Sequence, residues 1–383
     1  MSTQNPGLAA AFSLLAVACL TIMVGCVVVP GLPSIAQNLG VASAASWLVT
    51  LPALGVVLFG PVAGHLIDRL GAYRMLCAGL FAYGLLGVAA VALHGMWLVF
   101  ANRLLLGAAT AVVMTSGTAL ISAFYSGPDR LTMIARQGMT IELGGVIFIA
   151  LGGQLASLGW RWPFVLYLFA WLMLGMVLCC VPRPPAARDN PRPTAQARRL
   201  SATLKTVYLL ALAAMTIFFF AVVKLPIHLH ALGYSEPQTG YFLSFISLVA
   251  VGAAFVMPRV VSRLGNFSTL AVAFLFFAVA HGLFAWVGST AWLLLCCIAM
   301  GTGFGLSVPL VNHMTVEGSA AEVRGRNLSY LSVAIFLGQF LASFSDFIPG
   351  PPTVALCIAG AASVVVAGSI GVARGLVTSG ATR

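Results

Sequence analysis

The sequence predicts an all-α polytopic membrane protein of twelve transmembrane helices in two pseudo-symmetric six-helix bundles. Three observations predict it: the scarcity of charge, the length of the apolar runs, and short motifs that recur at one fixed distance. Of 383 residues, 61% are hydrophobic and only 7% charged, with a mean hydropathy of +1.04. A soluble domain carries roughly 25% charged residues. A bilayer lifts that requirement, because apolar side chains face lipid directly.

Twelve apolar runs follow one another, near 8–36, 43–67, 72–93, 96–125, 133–158, 161–181, 205–230, 237–262, 267–288, 290–316, 325–347 and 352–374. Each is long enough to cross a hydrocarbon core of about 30 Å, which takes roughly 20 helical residues. They are too long and too continuously apolar for barrel strands, which alternate. The first run has no Lys or Arg before it and no small-residue cleavage site after it, so it reads as a transmembrane helix, not a removable signal. Pro30-Gly31-Leu32-Pro33 marks its end.

The polar stretch after the sixth run divides the chain into an N-terminal bundle (1–181), a linker loop (182–204) and a C-terminal bundle (205–383). Five prolines (Pro182, Pro184, Pro185, Pro191 and Pro193) make the loop an extended tether. The halves repeat. Arg69-Leu70-Gly71 recurs as Arg263-Leu264-Gly265, Gly107 as Gly301, and Leu143-Gly144 as Leu337-Gly338, each 194 residues on. One offset shared by three regions predicts an internal duplication.

Charge sets the orientation. With the N-terminus in the cytoplasm, 16 of the 19 Lys and Arg residues fall in cytoplasmic turns or the tail, and only Arg161 lies in an outer loop. The positive-inside rule then puts both termini and the linker in the cytoplasm. The same distribution argues against nucleic acid as the partner of this +11 chain, because the cations sit in turns between spans. The eight cysteines all lie inside apolar runs without metal-like spacing, so neither a metal site nor a structural disulfide is expected.

The turn after the second run reads Gly60-Pro61-Val62-Ala63-Gly64-His65-Leu66-Ile67-Asp68-Arg69-Leu70-Gly71-Ala72-Tyr73-Arg74. It resembles the G-x-x-x-D-R-x-G-x-R loop of the major facilitator superfamily, matched at Gly64, Asp68, Arg69, Gly71 and Arg74. Val29-Pro30-Gly31-Leu32-Pro33 resembles the first-helix ending of exporters in that family. Arg103-Leu104-Leu105-Leu106-Gly107 resembles R-x-x-Q-G with Leu106 in place of Gln, and Gly159-Trp160-Arg161-Trp162-Pro163-Phe164 resembles the W-R-W-x-F turn. Two departures stand out. The exporter motif of the fifth helix keeps Gly144 and Gly152-Gly153 but has Phe148-Ile149 for Gly-Pro, and the second-half loop has Ser262 where the acid would be.

The resemblance implies the twelve-helix facilitator fold, no enzymatic activity and a cytoplasmic latch built by Gly64, Asp68, Arg69, Gly71 and Arg74. In that latch Asp68 faces the positive end of a helix from the other half. It also implies a bacterial inner-membrane monomer with the lipid bilayer and a small-molecule substrate as partners. Gly301-Thr302-Gly303-Phe304-Gly305 lacks the strand and spacing of a dinucleotide site and reads as close helix packing. No P-loop occurs, so no nucleotide and no cofactor is expected, and a proton gradient is the expected energy source.

Charges inside spans cost about 2.5–3.5 kcal/mol on insertion scales and usually mark function. Glu142, near the middle of the fifth run, is the expected proton carrier, with Arg103 of the fourth as a cation that tunes it or binds an anion. Lys224, in the seventh run, favours an anionic substrate; Asp346 lies near the outer end of the eleventh and is a further substrate-binding candidate. His281 is expected to pack, His228 and His230 to lie near the outer surface, and Phe218, Phe219, Phe220 and Tyr241 are candidate cavity aromatics. The combined expectation is proton-coupled export of a small amphipathic or anionic compound (a drug, metabolite or siderophore-like product). Proton-coupled import of an organic anion or metal chelate is the alternative. A membrane enzyme is disfavoured, since no H-E-x-x-H or G-x-S-x-G pattern occurs.

Overall fold

A computed structural model describes residues 7–183, 200–286, 289–320 and 323–380. Among these there is no strand, and twelve helices are long and apolar enough to cross a membrane. In chain order they are α1 (Leu8–Cys26), α2 (Trp47–Leu70), α3 (Ala72–Ala92), α4 (Met96–Phe124), α5 (Thr132–Leu158), α6 (Trp162–Cys180), α7 (Ala202–Ala231), α8 (Glu236–Leu264), α9 (Asn266–Ala285), α10 (Thr290–Glu317), α11 (Arg324–Phe347) and α12 (Pro352–Val372). The protein is a multi-pass membrane protein of twelve spans. Most of the linker, residues 184–199, lies outside the described residues.

The first run is where helix and hydropathy part. The apolar run reaches residue 36 with the helix expected to end at Pro30–Pro33, but α1 stops at Cys26 and a separate helix runs from Leu32 to Asn38. Pro30 has no N–H to give a helix ladder and disfavours helical geometry at Val29. Pro33, in the first turn of the next helix, needs no such partner.

The chain divides into two compact units, Met1–Asn190 with Ser235–Tyr241, and Pro191–Tyr234 with Phe242–Arg383. Helices in lipid gain no hydrophobic drive from each other, so small residues that let backbones approach hold them together. In the first unit a Cβ at Gly107 of α4 would overlap the Pro52 carbonyl of α2, and one at Gly55 would overlap the Leu104 carbonyl. On α5, Gly144 lies against Cys19 of α1 and Gly152 against the Val27 carbonyl. In the second unit Gly301 of α10 meets the Ile246 carbonyl of α8, and Gly338 of α11 the Leu212 carbonyl of α7.

The repeat is therefore structural. Gly301 and Ile246 lie 194 residues beyond Gly107 and Pro52. The turn glycines share it too: Gly71 has φ +87° and Gly265 φ +80°, a left-handed geometry that favours residues without a Cβ.

Candidate functional site

Arg103 is fully buried on α4, where Val99, Leu106 and Gly107 also face inward. Its Nη1 donates to the Tyr167 hydroxyl at 3.0 Å. Its guanidinium carbon stands 5.2 Å from the Phe164 ring centroid and 5.6 Å from that of Tyr167. Both aromatics belong to the 3₁₀ turn Trp162–Leu168 that opens α6. Tyr167 then donates to the Val24 carbonyl at 2.8 Å. One helical turn earlier on α1, the Leu20 carbonyl accepts from Tyr83 of α3 at 2.7 Å. The cation is held by ring faces and one hydroxyl, and its Nε and Nη2 have no partner among the described residues.

Glu142 lies midway along the 32-residue helix Gly127–Leu158. It is half-buried and makes no hydrogen bond or ion pair with any described residue. The glycine contacts of α5 hold it beside α1, and Cys26 at the end of α1 is within electrostatic reach of Glu142 on one hand and of Tyr83 and Tyr167 on the other. Arg103 and Glu142 are not ion-paired. They share α1 as a common neighbour instead.

In the second unit Lys224 and Asp346 come together. Lys224 Nζ lies 2.6 Å from Asp346 Oδ1, with side-chain exposures of 10% and 7%. Asp346 sits on the 3₁₀ segment Ala342–Phe347 that ends α11. Asp346 is thus an ion-paired carboxylate near the end of its helix, and Glu142 lies midway along its own. His281 is fully buried and bonded to the Ile217 carbonyl at 3.0 Å. Phe218 packs on Phe304 with centroids 4.3 Å apart. His228 is half-buried and His230 exposed.

The loop motif closes α2. Gly64 has open space around it, Gly71 makes the left-handed turn, and Asp68, Arg69 and Arg74 are exposed. The sequence did not point to Tyr167 or Tyr83. A buried tyrosine usually finds a partner for its hydroxyl, which is the signal that could have found them.

A family model described as Major Facilitator Superfamily matches residues 12–343. The chain belongs to the major facilitator superfamily. It is a transporter and not an enzyme. It is 26% identical over 330 residues to the multi-drug resistance efflux pump PmrA of Streptococcus pneumoniae, covering 81% of this chain and 82% of that one. It is 25% identical over 236 residues to multidrug resistance protein 1 of Bacillus subtilis, covering 60% and 59%. Among solved structures, it resembles the nucleoside transporter NupG with a TM-score of 0.75 and 14% identity, covering 95% of this chain and 99% of the other. A D-xylose-proton symporter gives 0.72 at 16% identity, covering 95% and 96%. At such identities the structures share the facilitator fold alone.

Proposed function

We propose that this facilitator exports a small amphipathic or anionic compound in exchange for protons, by alternating access, with Glu142 as the proton carrier. The observation that carries the reading is the solitude of Glu142: a carboxylate midway along a span, with no hydrogen bond or ion pair to any described residue. An ionised carboxylate without a partner is costly there, and protonation relieves the cost. The printed names of the relatives, a multi-drug resistance efflux pump and a multidrug resistance protein, support export. Arg103, with spare donors, tunes the local field as Glu142 gains and loses its proton.

In this reading the protein is a monomer of the bacterial inner membrane with both termini cytoplasmic. The Gly64, Asp68, Arg69, Gly71 and Arg74 turn is its cytoplasmic latch, and a proton gradient drives it without a bound cofactor. Everted vesicles test it. Respiring vesicles containing the wild-type chain should accumulate ethidium or carboxyfluorescein, and those containing Glu142→Gln should bind the dye without concentrating it. Uphill loading by the Gln variant would remove Glu142 from the coupling role. Import of an organic anion is the second reading, favoured by the Lys224–Asp346 pair; right-side-out vesicles would then load instead.

A further inference from the structure

The geometry points to the Lys224–Asp346 pair as an exchange site for an organic carboxylate, which takes the place of Asp346 on the Lys224 ammonium while Asp346 accepts a proton. This deepens the transporter reading and rests on it, but not on the direction of transport.

Four observations carry it. The pair is secluded, with exposures of 10% and 7%, inside spans where charges mark substrate and ion pathways. Replacing a buried pair by apolar residues is often neutral or stabilising, so stability does not explain its presence. Among the described residues Lys224 makes a single hydrogen bond, to Asp346, although an ammonium carries three donors. The adjacent Ser345 hydroxyl is buried and has no partner among the described residues. A paired cation with spare donors, and an orphaned hydroxyl on the residue before its partner, supply polar groups that a carboxylate can use.

Both partners also stand on backbone that yields. Pro226, two residues after Lys224, lies inside α7, where it leaves the Val222 carbonyl without its ladder partner. Asp346 is on a 3₁₀ segment at the end of α11, a winding whose hydrogen-bond geometry is poorer than that of an α-helix.

Charge balance dictates the proton. Lys224 with Asp346 is neutral. Adding a carboxylate anion would leave a net negative charge in a low-dielectric site, which is expensive. If a proton from solution joins Asp346 as its bond to Lys224 breaks, and the incoming carboxylate bonds Lys224, the site is neutral before and after. Anion and proton therefore enter together.

Other titratable groups lie on α7 and on the helices packed against it. His228 is one turn beyond Lys224 on α7, and α9 presents His281, held by the Ile217 carbonyl. The His313–Glu317 pair closes α10. Arg324 and Arg326 open α11, at the far end of that helix from Asp346. None of these is bonded to Lys224.

The test is the melting temperature of the purified full-length chain in detergent, at acidic and alkaline pH, with benzoate or naphthoate against benzamide or naphthamide. The carboxylates should raise it and the amides should not, with the larger rise at acidic pH. Asp346→Asn frees Lys224 from its competitor, so carboxylates should bind about tenfold tighter and almost equally at both pH values. Lys224→Met with Asp346→Leu together should fold normally and lose the response, which separates a site from a structural pair. An unaltered response in that double variant, an equal response to the amides, or no response to any carboxylate overturns the proposal. A carboxylate response in a chain whose everted vesicles do not load sinks the export reading and leaves this site standing. Loading without a carboxylate response does the reverse.

Discussion

The Arg103 guanidinium and the Tyr167 hydroxyl, 64 residues apart in sequence, meet at 3.0 Å in a site closed to solvent. Tyr167 passes that contact on to the Val24 carbonyl, so a cation on α4 is tied to α1 through a side chain of α6. Tyr167→Phe keeps the ring face and removes the hydroxyl. It should cost about 1–3 kcal/mol, the usual penalty for stranding a buried polar partner, and lower both melting temperature and transport. Arg103→Lys should not rescue function, since an ammonium lacks the planar fork and ring stacking of Arg. Unchanged melting and transport in Tyr167→Phe would show that the contact is incidental.

Gly107 and Gly301 should be intolerant in the same way. Ala at either position overlaps a backbone carbonyl, of Pro52 or of Ile246, and carbonyls of a neighbouring helix cannot rotate away. Each substitution should cost about 1–3 kcal/mol from overpacking and reduce folded yield after extraction. Gly117→Ala is the internal control: its added methyl meets nothing within 4 Å. There Ala should be neutral or stabilising by up to about 1 kcal/mol, as expected in a helix. Equal melting of all three variants would discount the glycine contacts.

Asp68→Asn should leave the protein inserted and folded, because Asp68 is exposed at the end of α2. If it serves as a latch against a helix end, the lost charge is worth about 0.3–2 kcal/mol, which shifts a two-state balance several-fold and slows transport accordingly. Wild-type transport at equal expression would reduce the motif to a turn.

A reporter that works only in the cytoplasm, fused after Pro182, should be active, and so should one at the C-terminus. The sided distribution of cations predicts it. A periplasmic signal from the Pro182 fusion would exclude six spans before it.

The spans were legible because hydropathy reports a property of each helix alone. Gly71 and Gly265 were legible as repeated turn residues, and the structure gives both a positive φ. What was not legible is who meets whom. Lys224 and Asp346 each stood out as a charge inside an apolar run, yet their 2.6 Å contact spans 122 residues, and nothing in one sequence says which faces of α7 and α11 oppose. Tyr167 was hidden for the same reason. The end of α1 at Cys26 was half legible: Pro30 forbids the helix to continue through it, but the chain leaves helical geometry before the proline does the forbidding.

The shared offset also shows where the two halves stopped being copies. Step back 194 residues from Lys224 and Asp346 and one finds Pro30 and Gly152, a helix-ending proline and a glycine pressed on a backbone carbonyl. Step forward from Arg103 and Glu142 and one finds Cys297 and Phe336. At each of these positions one half carries a charge where the other carries a turn or packing residue, so each half has its own chemistry within a frame of shared joints. A swap that fused two first halves, or two second halves, would inherit a sound frame with one of the two charged sets doubled and the other missing.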